Sequence, residues 1–115
     1  MNSKVSIFVS SWNDKNHLKN CLDSIFLNNY KNFEIIIVDN GSLDGSVEFI
    51  KSLKGKVRAI FNKKNLGLIK ATNQGASIAN GDFILFLLNK SLLKSLTIQI
   101  NNNPPIIFII GKPKR

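Results

Sequence analysis

Four short apolar runs, separated by segments with helical spacing, dominate the first three quarters of the chain. The runs cover residues 5–9, 33–38, 57–61 and 83–87. The run at 33–38 is nearly continuous in apolar residues, which is typical of a strand buried on both faces of a parallel sheet. The alternation β-α-β-α-β-α-β therefore predicts an α/β fold, with helices covering the faces of a parallel sheet.

Three helices are predicted between these strands, because apolar residues recur there at intervals of three and four. Asn13 or Asp14 is suited to cap the first helix, and Ser42 or Asp44 the second. The third helix is expected over residues 68–79. The apolar positions are Leu18, Leu22, Ile25 and Phe26 in the first helix and Val47, Ile50 and Leu53 in the second. In the third helix, the residues expected to face inward are Ile69, Thr72, Ala76 and Ala79.

Small polar residues follow the first two predicted strands directly. The first strand runs into S-S-W-N at residues 10–13, and the second runs into D-N-G-S at residues 39–42. Parallel sheets of this kind bind ligands in a crevice at the carboxyl ends of their strands. The two clusters therefore mark the predicted binding edge of the sheet.

The net charge of +9, from 16 basic and 7 acidic residues, indicates either an anionic partner or a codon bias toward lysine. A nucleic acid, an anionic membrane surface and an anionic nucleotide are all candidates. The basic residues are scattered along the chain and no aromatic residues interleave with them, which argues against a nucleic-acid-binding platform.

The single cysteine, Cys21, excludes an internal disulfide and a cysteine-based metal cluster, and it fits a reducing cytoplasm. No apolar run reaches the roughly 18 residues that a membrane span needs. The first residues lack the pattern of a secretory signal. We therefore expect a small cytoplasmic protein, either free or peripheral at the inner face of the membrane.

The composition changes after the fourth predicted strand. No acidic residue follows Asp82, and a loose polar stretch precedes a strand-like apolar run at residues 106–110. We therefore predict a boundary at residue 90, with an atypical basic tail over residues 91–115. The pattern does not give the tail a place in the sheet.

The motif S-x-W-N at residues 10–13, followed by I-I-V-D-N-G-S at residues 36–42, closely resembles the opening of the family 2 glycosyltransferases. Residues 65–75 resemble the family's N-x-G-x-x-x-A-x-N-x-G run, and residues 81–87 resemble its G-E-Y-I-L-F-L strand. The resemblance implies an incomplete GT-A fold, a Rossmann-like three-layer αβα sandwich with a mostly parallel sheet in the strand order 3-2-1-4. In that order strands one, two and four share one crevice, where the family binds nucleotide-sugars. The resemblance therefore implies that residues 1–90 are the nucleotide-sugar-binding half of a GT-A glycosyltransferase domain.

The resemblance also implies nucleotide-binding roles for particular residues. Asp39 would accept a hydrogen bond from the base, Ser10 and Trp12 would flank the base, and the segment containing Gly67 and Asn73 would approach the ribose and phosphates. The full set is Ser10, Trp12, Asp39, Asn40, Gly67 and Asn73.

Simpler interpretations of the same residues stay open. Asp39 could bond only its own turn, and Trp12 could be an aromatic residue at the edge of the core. The asparagine and glycine residues of segment 65–75 could be ordinary helix caps.

The family's acidic metal-binding motif should follow the fourth strand, but Leu88, Asn89 and Lys90 occupy its place. That motif would hold Mg²⁺ or Mn²⁺ against the diphosphate of the donor. Lys90 would repel a metal, so either it contacts the diphosphate directly as a fixed cation or the motif is lost. The lone histidine, His17, is interpreted as a surface residue without a partner.

The family resemblance implies inverting transfer of a sugar from a UDP-, TDP- or GDP-sugar to an acceptor that the sequence does not identify. The family's general base lies beyond the metal motif, and nothing in residues 91–115 matches it, so no catalytic residue is assigned. We therefore expect a truncated or frameshifted member with weak or no activity alone. The alternative is a non-catalytic nucleotide-binding remnant or subunit, and no nucleic-acid partner is expected.

Overall fold

A five-stranded sheet with helices on both faces forms the body of the molecule. The computed structural model describes residues 3–87 and the backbone of the strand at residues 107–111. The elements are β1 (Val5–Ser11), α1 (Lys15–Phe26), β2 (Phe33–Asp39), α2 (Ser46–Ser52), β3 (Arg58–Phe61), α3 (Leu68–Ile78), β4 (Phe83–Leu87) and β5 (Ile107–Gly111).

The strand order is β3-β2-β1-β4-β5, which confirms the predicted order 3-2-1-4 for the first four strands. These four strands are parallel. The apolar run near the C-terminus, for which no position was predicted, pairs antiparallel with β4, with Leu87 opposite Ile107. The division of the chain after residue 90 stays a prediction.

Alternate residues of the strands face two separate cores, which makes the molecule a three-layer αβα sandwich. Ile7 and Ile35 point toward α1 and α2, whereas Phe8 and Ile36 point toward α3. The rings of Phe8 and Phe86 meet edge to face, with centroids 5.6 Å apart and planes at 60°, a favourable arrangement for aromatic pairs. Among the described residues, no helix is both long enough and apolar enough to cross a membrane.

One predicted core position, Ile69, is wrong, and Phe26, an apolar position of the first helix, lies outside the core. Phe26 is 39% exposed as the last residue of α1, whose buried residues are Leu18, Cys21, Leu22 and Ile25. Ile69 is 78% exposed, because α3 turns its small residues Ala71 and Gly75 toward the sheet. The bulky side chain of Phe8 already fills the space between α3 and β1, so only small residues fit on that face of the helix.

The predicted caps are only partly correct. Asp14 occupies the N-cap position of α1, but its side chain makes no capping hydrogen bond. The helix α2 begins after Gly45, which has a φ of 95°. Asp44 still serves this helix, because its Oδ1 accepts hydrogen bonds from the backbone N–H of Ser46 at 3.1 Å and from the Ser46 hydroxyl at 2.6 Å.

A cluster of polar contacts around Glu34 closes the amino-terminal edge of the sheet, opposite the binding edge. The Glu34 carboxylate accepts hydrogen bonds from the Ser6 hydroxyl at 2.5 Å, the backbone N–H of Asn80 at 2.6 Å and Arg58 at 3.3 Å. Desolvation raises the pKa of Glu34, but these bonds and the charge of Lys4 together outweigh it and hold the pKa below its usual value.

We expect Glu34→Gln to destabilise the protein more at pH 6 than at pH 3. Because the folded-state pKa is lowered, the carboxylate stabilises the fold above its unfolded value of about 4.3, and this stabilisation is lost as the pH falls through the folded value. Urea unfolding of both proteins at the two pH values measures the difference. Glu48→Gln, at an exposed position on α2, is the control, and an effect of Glu34→Gln that does not change with pH contradicts the prediction.

Candidate functional site

A crevice of about 250 Å³ opens at the carboxyl ends of β1 and β4. Parallel β-strands, the first turn of α1 and the start of α3 form its walls, as expected for a ligand site in an open α/β sheet. The residues that line it are Val9, Ser10, Ser11, Trp12, Asp14, His17, Leu18, Cys21, Leu68 and Leu87.

Two of the residues predicted to bind a nucleotide, Ser10 and Trp12, lie together in this crevice. Ser10 is exposed at the end of β1. Trp12 is 55% exposed, so its ring is not an edge of the core and presents an open aromatic surface. Such a surface is suited to stacking against a flat ligand.

His17 also lines the crevice. It is half-buried on the first turn of α1, one helical turn before Cys21.

Burial raises the pKa of the Cys21 thiol to about 11. The thiol therefore stays protonated at neutral pH and does not act as a nucleophile.

Asp39 lies beside the crevice and is completely buried. Its Oδ1 accepts hydrogen bonds from the hydroxyls of Ser11 at 2.8 Å and Ser42 at 2.6 Å. Its Oδ2 accepts hydrogen bonds from the backbone N–H groups of Gly41 at 3.1 Å and Ser42 at 2.9 Å. A carboxylate has about four acceptor positions, and these four bonds occupy them. This geometry favours the interpretation of Asp39 as the residue that organises its own turn.

The loops after β1 and β2 are joined to each other by side-chain bonds. Asn13, with a φ of 49°, donates its backbone N–H to the Ser42 hydroxyl at 2.9 Å and accepts the N–H of Leu43 on Oδ1 at 2.7 Å. Asp44 accepts the N–H of Lys15 at 2.9 Å. The two loops therefore form one connected rim beside the crevice.

The loop between β3 and α3 is held by Asn40, whose side chain is only slightly exposed. Asn40 contacts Asn62, Leu66 and Gly67 of this loop. Gly67 is exposed and has a φ of 89°, a conformation that favours glycine.

The remaining predicted residue, Asn73, is exposed on α3 and does not line the crevice. Sequence reasoning did not find Ser11 and Gln74, which bond Asp39 and Asn62 respectively. Ser11 pairs directly with Asp39 across β1 and β2, so aligning the two predicted strands by register would have brought them together.

The described residues do not fit a divalent cation. No group of three histidine, cysteine or acidic residues within residues 3–87 is arranged to hold a metal ion. The Asp39 oxygens are already bonded to donors from their own turn and from Ser11. Leu88, Asn89 and Lys90, which replace the expected acidic motif, lie outside the described residues.

Comparison with known proteins supports the expectation from sequence. Residues 6–87 match the profile of glycosyl transferase family 2. The chain is 35% identical over 89 residues to the glycosyltransferase GlyA of Streptococcus pneumoniae, covering 76% of this chain and 13% of GlyA. It is 30% identical over 102 residues to GlyG of the same organism, covering 86% of this chain and 34% of GlyG. The chain thus spans about a third or less of the length of these two relatives.

Solved structures share the fold. A mannosyltransferase from Pyrobaculum calidifontis, in complex with GDP-Man and Mn²⁺, superposes with a TM-score of 0.72 at 19% identity, over 80% of this chain and 29% of that one. Staphylococcus aureus TarS, in complex with UDP-GlcNAc, superposes with a TM-score of 0.71 at 24% identity, over 79% of this chain and 28% of that one. Because the family profile covers most of the chain, the protein belongs to glycosyl transferase family 2.

Proposed function

We propose that this chain is the donor-binding part of a glycosyltransferase that uses a nucleotide-sugar. The exposed Trp12 at the mouth of the crevice, in a chain of this family, carries the proposal. Its ring would stack on the base, with Ser10 beside it. Two fold neighbours were solved with GDP-Man and UDP-GlcNAc, which supports a nucleoside diphosphate as the ligand class.

The excess of positive charge favours an anionic ligand. The whole chain carries a net charge of +9, and Lys63, Lys64 and Lys70 are exposed on the loop before α3 and on its first turn. A positive net charge attracts an anion and speeds its association. Lys90, three residues beyond the end of β4, is proposed to contact the diphosphate as a fixed cation.

The reaction proposed for the full-length protein is inverting transfer of the sugar to an acceptor at the inner face of the membrane, within the cytoplasm. Family membership supports the transfer itself. We propose that the 115-residue chain binds the nucleotide and contributes little transfer alone, because the family resemblance places the general base beyond the metal motif and residues 91–115 do not match that part of the family.

Titration of the 115-residue chain with UDP, TDP and GDP, with and without manganese, tests nucleotide binding by calorimetry. We expect saturable binding of at least one nucleotide without metal. Trp12→Ala should weaken that binding about tenfold, because stacking of a base on an aromatic ring contributes about 1–3 kcal/mol. Phe26→Ala, which removes a half-exposed aromatic ring at the other end of α1, should leave it unchanged.

Two outcomes would overturn parts of this proposal. If the chain unfolds cooperatively yet binds none of the three nucleotides, it is not a donor-binding unit. Binding that strictly requires manganese would mean that carboxylates outside the described residues form a metal site, and the role proposed for Lys90 would then be wrong.

A further inference from the structure

All polar atoms of the Asn40 side chain are used by the loop between β3 and α3. Its Oδ1 accepts hydrogen bonds from the Asn62 side chain at 2.9 Å and from the backbone N–H of Leu66 at 3.4 Å. Its Nδ2 donates to the carbonyl oxygen of Gly67 at 3.4 Å. The side chain is 6% exposed, so it faces this loop and not the crevice.

A second set of hydrogen bonds holds Asn62 from the side opposite Asn40. Asn62 and Gln74 exchange two hydrogen bonds through their side-chain amides, at 2.8 and 2.9 Å. Gln74 belongs to α3, and Asn40 follows β2. The chain of contacts Asn40–Asn62–Gln74 therefore ties the end of β2 to the helix across the intervening loop.

The backbone of the same turn provides an independent contact. Gly41 has a φ of 83°, and a Cβ atom added there would lie 2.8 Å from the Cα of Lys64. The turn after β2 thus packs directly, backbone against backbone, on the loop between β3 and α3. Any side chain at residue 41 would push that loop away.

We propose that Asn40 is a positioning residue that shapes the loop before α3 in the absence of ligand, and that it makes no contact with the nucleotide itself. Residues 62–67 pack against Asn40 and Gly41, and these contacts hold the loop in one conformation. The loop is then preorganised, with Gly67 and the start of α3 already in place when a ligand arrives. Preorganisation of this kind strengthens binding by removing the cost of ordering a loop.

Hydrogen exchange in the ligand-free chain tests this inference without relying on nucleotide binding. Asn40→Ala should speed exchange of the Leu66 amide about fivefold or more, because its acceptor is removed. Asn40→Asp keeps an oxygen at the Oδ1 position, so the Leu66 amide should stay protected. Its second oxygen would face the Gly67 carbonyl in place of the Nδ2 donor. Ser77→Ala, at an exposed site on α3, should leave Leu66 exchange unchanged.

Nucleotide affinity provides the second measurement and rests on the proposed function. Gln74→Ala should weaken binding in the same direction as Asn40→Ala, and the double variant should lose less than the sum of the two, since both act through one loop. The inference is overturned if Leu66 exchange is unchanged in Asn40→Ala, or if Asn40→Asp exposes the amide as strongly. It is also overturned if Asn40→Ala alone weakens binding while Gln74→Ala does not. If the unaltered chain binds no nucleotide, the exchange result still decides the role of Asn40.

Discussion

Replacing Asp39 with alanine should destabilise the protein by about 4 kcal/mol or more, because it removes the acceptor of four hydrogen-bond donors at once, three of them buried. The hydroxyls of Ser11 and Ser42 and the N–H groups of Gly41 and Ser42 would all lose their partner. Each buried donor left unsatisfied costs about 1–3 kcal/mol. The total free energy of unfolding of a small domain is only about 5–15 kcal/mol, so this variant should be close to unfolding.

The isosteric change Asp39→Asn separates hydrogen bonding from charge. The asparagine oxygen can still accept the two backbone N–H groups, and the serine hydroxyls can rotate to accept from the new amide. We therefore expect a cost of about 1–2 kcal/mol, measured by urea unfolding. Ser11→Ala, which removes one of the four donors, should cost about 1 kcal/mol. A loss below about 1 kcal/mol in Asp39→Ala would show that the turn does not depend on this carboxylate.

Gly75→Ala should destabilise the fold by about 1–3 kcal/mol, although alanine is the better helix former by about 1 kcal/mol. An added Cβ would lie 2.4 Å from Cδ1 of Phe8, inside the contact between α3 and β1. Phe8 is 1% exposed, so its ring has no free space into which it could move. The predicted overpacking therefore outweighs the gain in helix propensity.

A double variant identifies the cause. Phe8→Leu creates room beneath α3, so Gly75→Ala should cost less in that background, with a coupling of about 0.5–3 kcal/mol. Additive costs for Phe8→Leu and Gly75→Ala would rule out steric contact as the reason for the glycine.

The strands were predictable because four apolar runs dominate the sequence, and their order followed from the family resemblance. The face of α3 was not predictable. The apolar residue Ile69 suggests one face, but the volume of Phe8 on another element forces the small residues Ala71 and Gly75 inward. The hydrophobic pattern records polarity and not volume, so it does not reveal such a constraint.

The candidate site, too, was predictable only in part. The residues at the strand ends were found because parallel strands place them on one edge, and Ser10 and Trp12 indeed line the crevice. The partners of Asp39 and Asn40 depend on strand register and on the path of a loop, and these arise only when distant segments pack. The position of His17 in the crevice was not predictable for the same reason, since its neighbours there come from β1, α3 and β4.

The central position of β1 has a consequence for how the chain folds. Val5 pairs with Phe33 on one side and with Phe83 on the other, so one edge of β1 stays open until nearly all of the described chain is available. Pairings between distant segments are slow to form, and an open apolar edge invites association with other chains. During synthesis on the ribosome, the β1–β2 pair can form early, while the edge that awaits β4 is exposed to aggregation until the fourth strand emerges.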